Sequence, residues 1–268
     1  SGATTNATST LNPTVEARLG GYTTGSTTAS ARNAVNVYAT LAATARATAS
    51  SGTFGTTGSS GGGNATADIE PTSATVPMVK SGFSGGSITS THGGIAAGAV
   101  YNSDTRNKVT NGAGAFATAH AASGGILFGL SGATAIATDK PYLDSYVASG
   151  TTLNAAAGIG TTSVSVSFAS ATASGDAGGL VGRGRSHATA TASSHADARM
   201  EGTITSGTSL DVKSTTSDRA NAQSSAASKG LFADTKNTAD ATSSPSLDAH
   251  IGASSNVTVT GTIDIEAT

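Results

Sequence analysis

The chain has 268 residues, a formal net charge of −2, 37% hydrophobic, 4% aromatic and 11% charged residues, and neither cysteine nor tryptophan. Its 14 Lys plus Arg against 16 acids supply no basic stripe for nucleic acid, the missing cysteine excludes disulfides and thiolate metal sites, and no run of about eighteen apolar residues offers a membrane span. So few large apolar side chains exclude a conventional globular core at this length, whereas a narrow interior of Ala, Ser, Thr and Val in stacked rungs packs at normal density. A Gly/Ser/Thr-rich chain can be disordered, but the low charge and the phasing of the β-branched residues point to order.

The first predicted strand is Pro13-Thr-Val-Glu-Ala-Arg-Leu19. Its strict alternation turns Val15, Ala17 and Leu19 inward and Glu16 and Arg18 outward. Val35-Asn-Val37 follows, then the alternating tract Ala42–Ser50 and a glycine turn at Ser51-Gly-Thr-Phe54. The second copy is degraded: Pro71-Thr-Ser-Ala-Thr-Val-Pro77 stands for the proline phrase, 76–115 has no clear template, and extra residues up to Gly125 precede the turn Ser123-Gly-Gly-Ile-Leu-Phe128. In the third, Pro141-Tyr-Leu-Asp-Ser-Tyr-Val147 places Leu143, Ser145 and Val147 inside, Val164-Ser-Val166 repeats the second phrase, and Gly178-Gly-Leu-Val181 turns the chain. The fourth has the tract Ser186–Ser193, Ser194-His-Ala-Asp-Ala-Arg-Met200, Leu210-Asp-Val212 and Lys229-Gly-Leu-Phe232; Ala220–Lys229 has helix-forming alanines but lacks a sustained 3.6-residue stripe and reads as strand. The fifth has Pro245-Ser-Leu-Asp-Ala-His-Ile251 and the alternating run Asn256–Glu266 with Ile263-Asp-Ile265.

Successive proline phrases start about 58, 70, 53 and 51 residues apart. Self-similarity at such a period makes each copy one supersecondary unit that buries its apolar face against its neighbours. The expectation is an all-β, single-domain β-solenoid (β-helix) over 1–268 with approximate repeats 1–63, 64–133, 134–187, 188–238 and 239–268, the last truncated. Because fifty residues exceeds the usual coil, about two coils per repeat are predicted, giving about ten rungs over roughly 45 to 50 Å. The outward carboxylates Glu16, Asp144, Asp197 and Asp248 reinforce that count, since like charges on adjacent strands repel. This column reads as a solvated face, with calcium binding as the alternative.

Chemistry-bearing patterns are weak. Gly58-Ser-Ser60-Gly-Gly62 and Gly82-Phe-Ser84-Gly-Gly86 fit the G-x-S-x-G nucleophile elbow, but neither precedes a helical pattern, and 35 glycines make chance matches common. His92, His120, His187, His195 and His250 lack metal-ligand spacing. The pairs Asp68/Glu70 and Asp264/Glu266 could serve acid–base chemistry on a sugar, yet each lies on one strand face at a repeat position. No catalytic residue, metal or cofactor is assigned, and an ice-binding adhesin is kept only as a lesser alternative, because Thr258, Thr260 and Thr262 have the broken counterpart Thr205, Gly207 and Ser209.

The order of proline-initiated phrase, Val-x-Val phrase, Ala-x-Ala tract and glycine turn resembles the β-strand repeats of large bacterial secreted exoproteins and adhesins of the filamentous haemagglutinin kind. That resemblance covers nearly the whole chain and implies a non-enzymatic extracellular or cell-surface protein: a surface filament, adhesin stalk or biofilm matrix fibre. The alternative is a β-helix that binds or degrades polysaccharide. The start at Ser1-Gly2 without a leader suggests a mature or excised piece. End-to-end self-association is expected, with Ala3, Thr4, Ala7 and Thr8 of one unit meeting Thr258, Thr260, Ile263 and Ile265 of another, or the same junction made covalently in a longer chain. The irregular repeat predicts a lateral contact surface around Phe83, Tyr101 and Phe116, and a polysaccharide or cell-surface ligand is a further expected partner, assigned to no particular residues.

Overall fold

The computed structural model describes residues 1–21, 27–103 and 112–268. All pairings among its strands are parallel, and five turns of chain build the stack. The first turn holds β1 (Gly2–Leu11), β2 (Val15–Gly20), β3 (Thr28–Ala31), β4 (Val35–Leu41) and β5 (Thr44–Gly55), and the second β6 (Gly58–Ile69), β7 (Val79–Ser84), β8 (Gly86–Ser90), β9 (Ile95–Tyr101) and β10 (Gly114–Gly125). The third holds β11 (Phe128–Asp139), β12 (Tyr142–Val147), β13 (Thr151–Ala155) and β14 (Ile159–Gly178), and the fourth β15 (Val181–Ala192), β16 (His195–Met200), β17 (Thr203–Ser206) and β18 (Leu210–Lys229). The fifth holds β19 (Phe232–Ser243), β20 (Ser246–Ile251), β21 (Asn256–Val257) and β22 (Ile263–Ala267). No helix long and apolar enough to cross a membrane occurs among the described residues.

These strands form four sheets: I (β1-β6-β11-β15-β19), II (β2-β7-β12-β16-β20), III (β3-β8-β13-β17-β21) and IV, where β4 and β5, then β9 and β10, align end to end beside the continuous β14 and β18, and β22 pairs with β18. Sheet IV packs against sheet I along one part of its length and against sheet II along the other. The expected β-solenoid is therefore present, and the inward column Val15–Val79–Leu143–Ala196–Leu247 runs through sheet II in the anticipated parity.

The coil count differs from expectation. Strands one repeat apart are hydrogen-bonded neighbours, as in Val181↔Phe232 and Leu210↔Ile263, so each repeat is one wide coil. Five rungs span about 20 Å at roughly 4.8 Å per rung, while a strand of β14's length runs about 65 Å. The molecule is a flat slab wider than its stack is high, and the predicted ten-rung rod is not formed. The second repeat also differs: 71–77 form turns and bends between β6 and β7, and the seats of the proline phrase are taken by Val79, Ser81 and Phe83. In sheet IV the register step falls from 64 residues (Ile95↔Ile159) to 54 (Ala115↔Ala169), so about ten extra residues enter between β9 and β10; 104–111, within this irregular region, lie outside the described residues. Val164-Ser-Val166 is not the counterpart of Val35-Asn-Val37. Ile159 and Thr161 occupy those seats, and Ser163, Ser165 and Ser167 point inward, where they hydrogen-bond to sheet II and its border with sheet I, so both valines lie on the opposite face of β14, where they are nonetheless buried.

Between sheets I and IV the interior consists mainly of alanine: Ala65, Ala135 and Ala188 oppose Ala47, Ala117 and Ala171, all nearly inaccessible. Between sheets II, III and IV it widens to admit Phe83, Ile88, Leu153, Ile159, Met200 and Leu210. A polar seam marks the passage from one to the other. Tyr101 donates to Asp139 Oδ1 at 2.7 Å, the Phe168 N–H donates to Oδ2 at 2.9 Å, and one rung on the Ser194 N–H donates to Asp218 Oδ2 at 2.7 Å. At the other end two-residue arches join sheet IV to sheet I. They stack as a ladder of their own, with Leu180 N–H donating to Ile126 O (3.0 Å) and Phe232 N–H to Leu180 O (3.0 Å). Position 179 requires glycine there, since its φ is 152° and a Cβ would come within 2.8 Å of Gly125 O.

Candidate assembly edges

Each end of the stack is an open parallel edge. On one side β1 pairs only with β6, β2 with β7 and β4 with β9; on the other, β19, β20 and β22 each pair with one neighbour. Within β1 the parity set by Ala7↔Ala65 turns Ala3 and Ala7 inward and Thr4 and Thr8 outward. At the far end Ile263 and Ile265 continue the apolar columns of Leu210 and Val212 and are about half exposed, at 49% and 47%. Val35 and Val37 begin the same two columns at the first rung. Thr258 and Thr260 lie just before β22 and donate their N–H groups to Ile204 O (3.0 Å) and Gly207 O (2.9 Å).

The two segments of the expected contact, Ser1–Thr8 and the Thr258–Thr268 end, lie on different sheets, β1 in sheet I and β22 in sheet IV. If the sheets are continued along the stack, β1 follows β19 and β4 follows β22. Sequence alone could not show this: both ends read as alternating strands, and only the strand order assigns them to faces.

The three residues expected on a lateral surface part company. Phe83 and Tyr101 are completely buried: Phe83 takes the inward seat of Leu19 and Val147, and Tyr101 lies in the polar seam. Phe116 alone of the three lies on the outer face, half-buried on sheet IV. One further outer feature was missed. The arches carry a row of exposed Phe54, Ile126, Phe128, Leu180, Leu231 and Phe232 along one rim of the slab, a contiguous apolar strip of a kind that commonly marks contact surfaces. The glycine phrases that located these turns also contain the residues of the strip.

On sheet II the outward column is Glu16–Lys80–Asp144–Asp197–Asp248. Carboxylates do stand on adjacent rungs, and local donors offset their repulsion. Arg199 grips Asp144 through two contacts of 3.0 Å, His195 Nε2 lies 3.2 Å from Asp197 Oδ1, Tyr142 donates to Asp197 Oδ2 at 3.2 Å, and His250 lies 2.9 Å from Asp248. Burial, then the neighbouring Asp197 and Asp144, push the Tyr142 hydroxyl up to about 12. Tyr146 lies between the cations Lys80 (5.0 Å) and Arg199 (5.3 Å). The repulsion argument for two coils fails here because Lys80 within the column and the close contacts of Arg199 and His195 offset the repulsion between adjacent rungs.

The other sequence-marked groups are dispersed. Ser60 sits within β6, and Ser84 ends β7 and is followed by another strand, so neither forms the strand–turn–helix of a nucleophile elbow. Glu70 pairs with Lys140 at 3.1 Å, and Asp264 and Glu266 surround Lys213 at 2.7 and 3.6 Å. His120 bonds Ser174 at 2.6 Å and His187 bonds Thr189 at 3.0 Å. No protein-family model, curated protein or solved structure matches the chain.

Proposed function

We propose that this chain is a non-enzymatic structural element of an extracellular filament, adhesin stalk or matrix fibre, extended by β-pairing at the ends of its coil stack. The observation that carries the reading is the correspondence of the two end rungs: the half-exposed Ile263 and Ile265 stand in the columns that Val35 and Val37 open at the other end. Coaxial apposition would bury both sets and give open N–H and C=O rows parallel partners, in a heterologous contact that propagates. The next rung can come from a second copy or from further coils of the same polypeptide.

Electron microscopy and sedimentation of purified chain, followed by a denaturing gel, test this. Expected are filaments that dissociate to about 25.6 kDa and are lost in Ile265→Lys with an unchanged β-type circular dichroism spectrum. Filaments of much larger covalent chains from the native source assign the junction to one polypeptide. Monomers at high concentration overturn self-assembly, and immunogold labelling confined to the cell interior overturns the extracellular placement.

A further inference from the structure

The outward columns of sheet IV beside the arches carry mostly small residues: Thr48, Thr118, Thr172 and Gln223 stand in one, Ser50, His120, Ser174 and Ser225 in the next. At the level of the polar seam that pattern breaks. Arg46 lies over the Phe116 ring with its guanidinium carbon 4.1 Å from the centroid, Phe116 and Phe168 are 5.5 Å apart and tilted by 52°, and Arg219 lies 6.0 Å from the Phe168 ring. These four side chains come from four successive rungs, so the row runs about 14 Å along the stack at roughly 4.8 Å per rung. Arg46 and Phe116 share one column, Phe168 and Arg219 the neighbouring one. The row crosses between columns at Gly114, whose φ of 121° and missing side chain leave room for Phe168: a Cβ there would lie 2.4 Å from Phe168 O and 3.1 Å from its Cβ.

Beside the row lies an open cleft of about 480 Å³, lined also by Val166, Ser167 and Ser217 and, among the described residues, by no acidic one. In a chain of net charge −2, this cleft has two guanidinium groups, and neither forms an ion pair with a carboxylate among the described residues. The nearest candidate in sequence, Asp218, turns inward to Ser194. Two separated guanidinium forks suit two carboxylates held apart, phenyl surface suits an apolar ring face, and small-molecule sites combine these elements at such volumes. We infer that this cleft binds an acidic carbohydrate, a short uronate-bearing chain laid along the stack axis, with sugar faces on Phe116 and Phe168 and carboxylates at Arg46 and Arg219. Two cations are too few for the many-phosphate contacts of nucleic acid. The inference is independent of end-to-end assembly.

Isothermal titration of the folded chain with tetragalacturonate tests it, with a neutral tetrasaccharide, inorganic phosphate and polyglutamate as the other probes. Expected is saturable binding of the uronate, at least tenfold weaker in Phe116→Ala and in the Arg46→Ala/Arg219→Ala double variant, each with an unchanged circular dichroism spectrum. Leu130→Ala, on the outer face of sheet I, keeps wild-type affinity. Equal affinity for phosphate or polyglutamate overturns the carbohydrate assignment, and equal affinity for the neutral sugar overturns the role of the arginines. No binding, or binding unchanged in the cleft variants, overturns the site. Because the variants are on an outer face and the readout is a monomer property, failure of filament formation leaves this result unaffected.

Discussion

Asp139 is the residue on which the seam depends. It is wholly inaccessible, and burial is the largest influence on its carboxyl, pushing it up to about 7 against the hydrogen bonds from Tyr101 and the Phe168 N–H that favour the ionised form. The same burial, with Asp139 beside it, pushes the Tyr101 hydroxyl above its ordinary range. Since the unfolded carboxyl titrates near 3.8, the folded chain holds the extra proton between about pH 4 and 7, and stability falls as pH rises through that window and levels off above it. The melting temperature is expected to be higher at pH 5 than at pH 8, with Asp139→Asn flattening the difference. A profile unchanged by that substitution would refute the assignment. Nothing in the sequence marked Asp139: it follows an alternating tract as if it were a turn residue, and its burial depends on sheet IV crossing beneath it.

Among elements, the alternation of strands was legible wherever small apolar and polar residues took strict turns, as in β2, β16 and β20. At Val164 and Val166 burial was legible but the face was not, because β-branched residues suit either face of a strand and Ser163 and Ser165 are the inward groups, each with a hydrogen-bond partner. Repeat length was legible too, but not the number of coils within it: each repeat contains two alanine tracts, and only their packing across one thin interior shows that they are opposite walls of a single coil. That thinness is testable. Ala171 is fully buried against the facing alanines, so Ala171→Leu overpacks the space and should cost about 1–3 kcal/mol or more, whereas the neighbouring Thr172→Leu, on the outer face, should stay within about 0.5 kcal/mol. Chemical denaturation of the two variants checks this, and equal losses would show the parity to be wrong.

At the scale of the whole molecule, the chain is a stack in which every strand lies across the axis and every ladder hydrogen bond runs along it. The end rungs were partly legible: both end strands were identified, but not the sheets they belong to, because strand order is a property of the closed coil and leaves no mark on local sequence. Of the three residues expected on a lateral surface, Phe116 alone was rightly read as lying on an outer face, and its neighbours Arg46 and Phe168 come from rungs a full repeat away.

One wide coil per repeat also dictates how the molecule answers a pull. Tension applied between the first and last rungs acts along the hydrogen bonds and opens them one after another, as a zipper opens, without loading a whole strand in shear. Each coil should therefore come away as a separate event. An increment of 51 residues, the spacing of the last two rungs, releases roughly 170 to 180 Å of extended chain, and the 70-residue step between the second and third rungs releases correspondingly more. Force spectroscopy on a singly tethered chain should show a sawtooth of low peaks at these unequal spacings. A single cooperative rupture would mean that the rungs do not yield independently. A fibre built this way is compliant along its length, dissipating sudden load by shedding coils that can rewind on the template of the coil beneath.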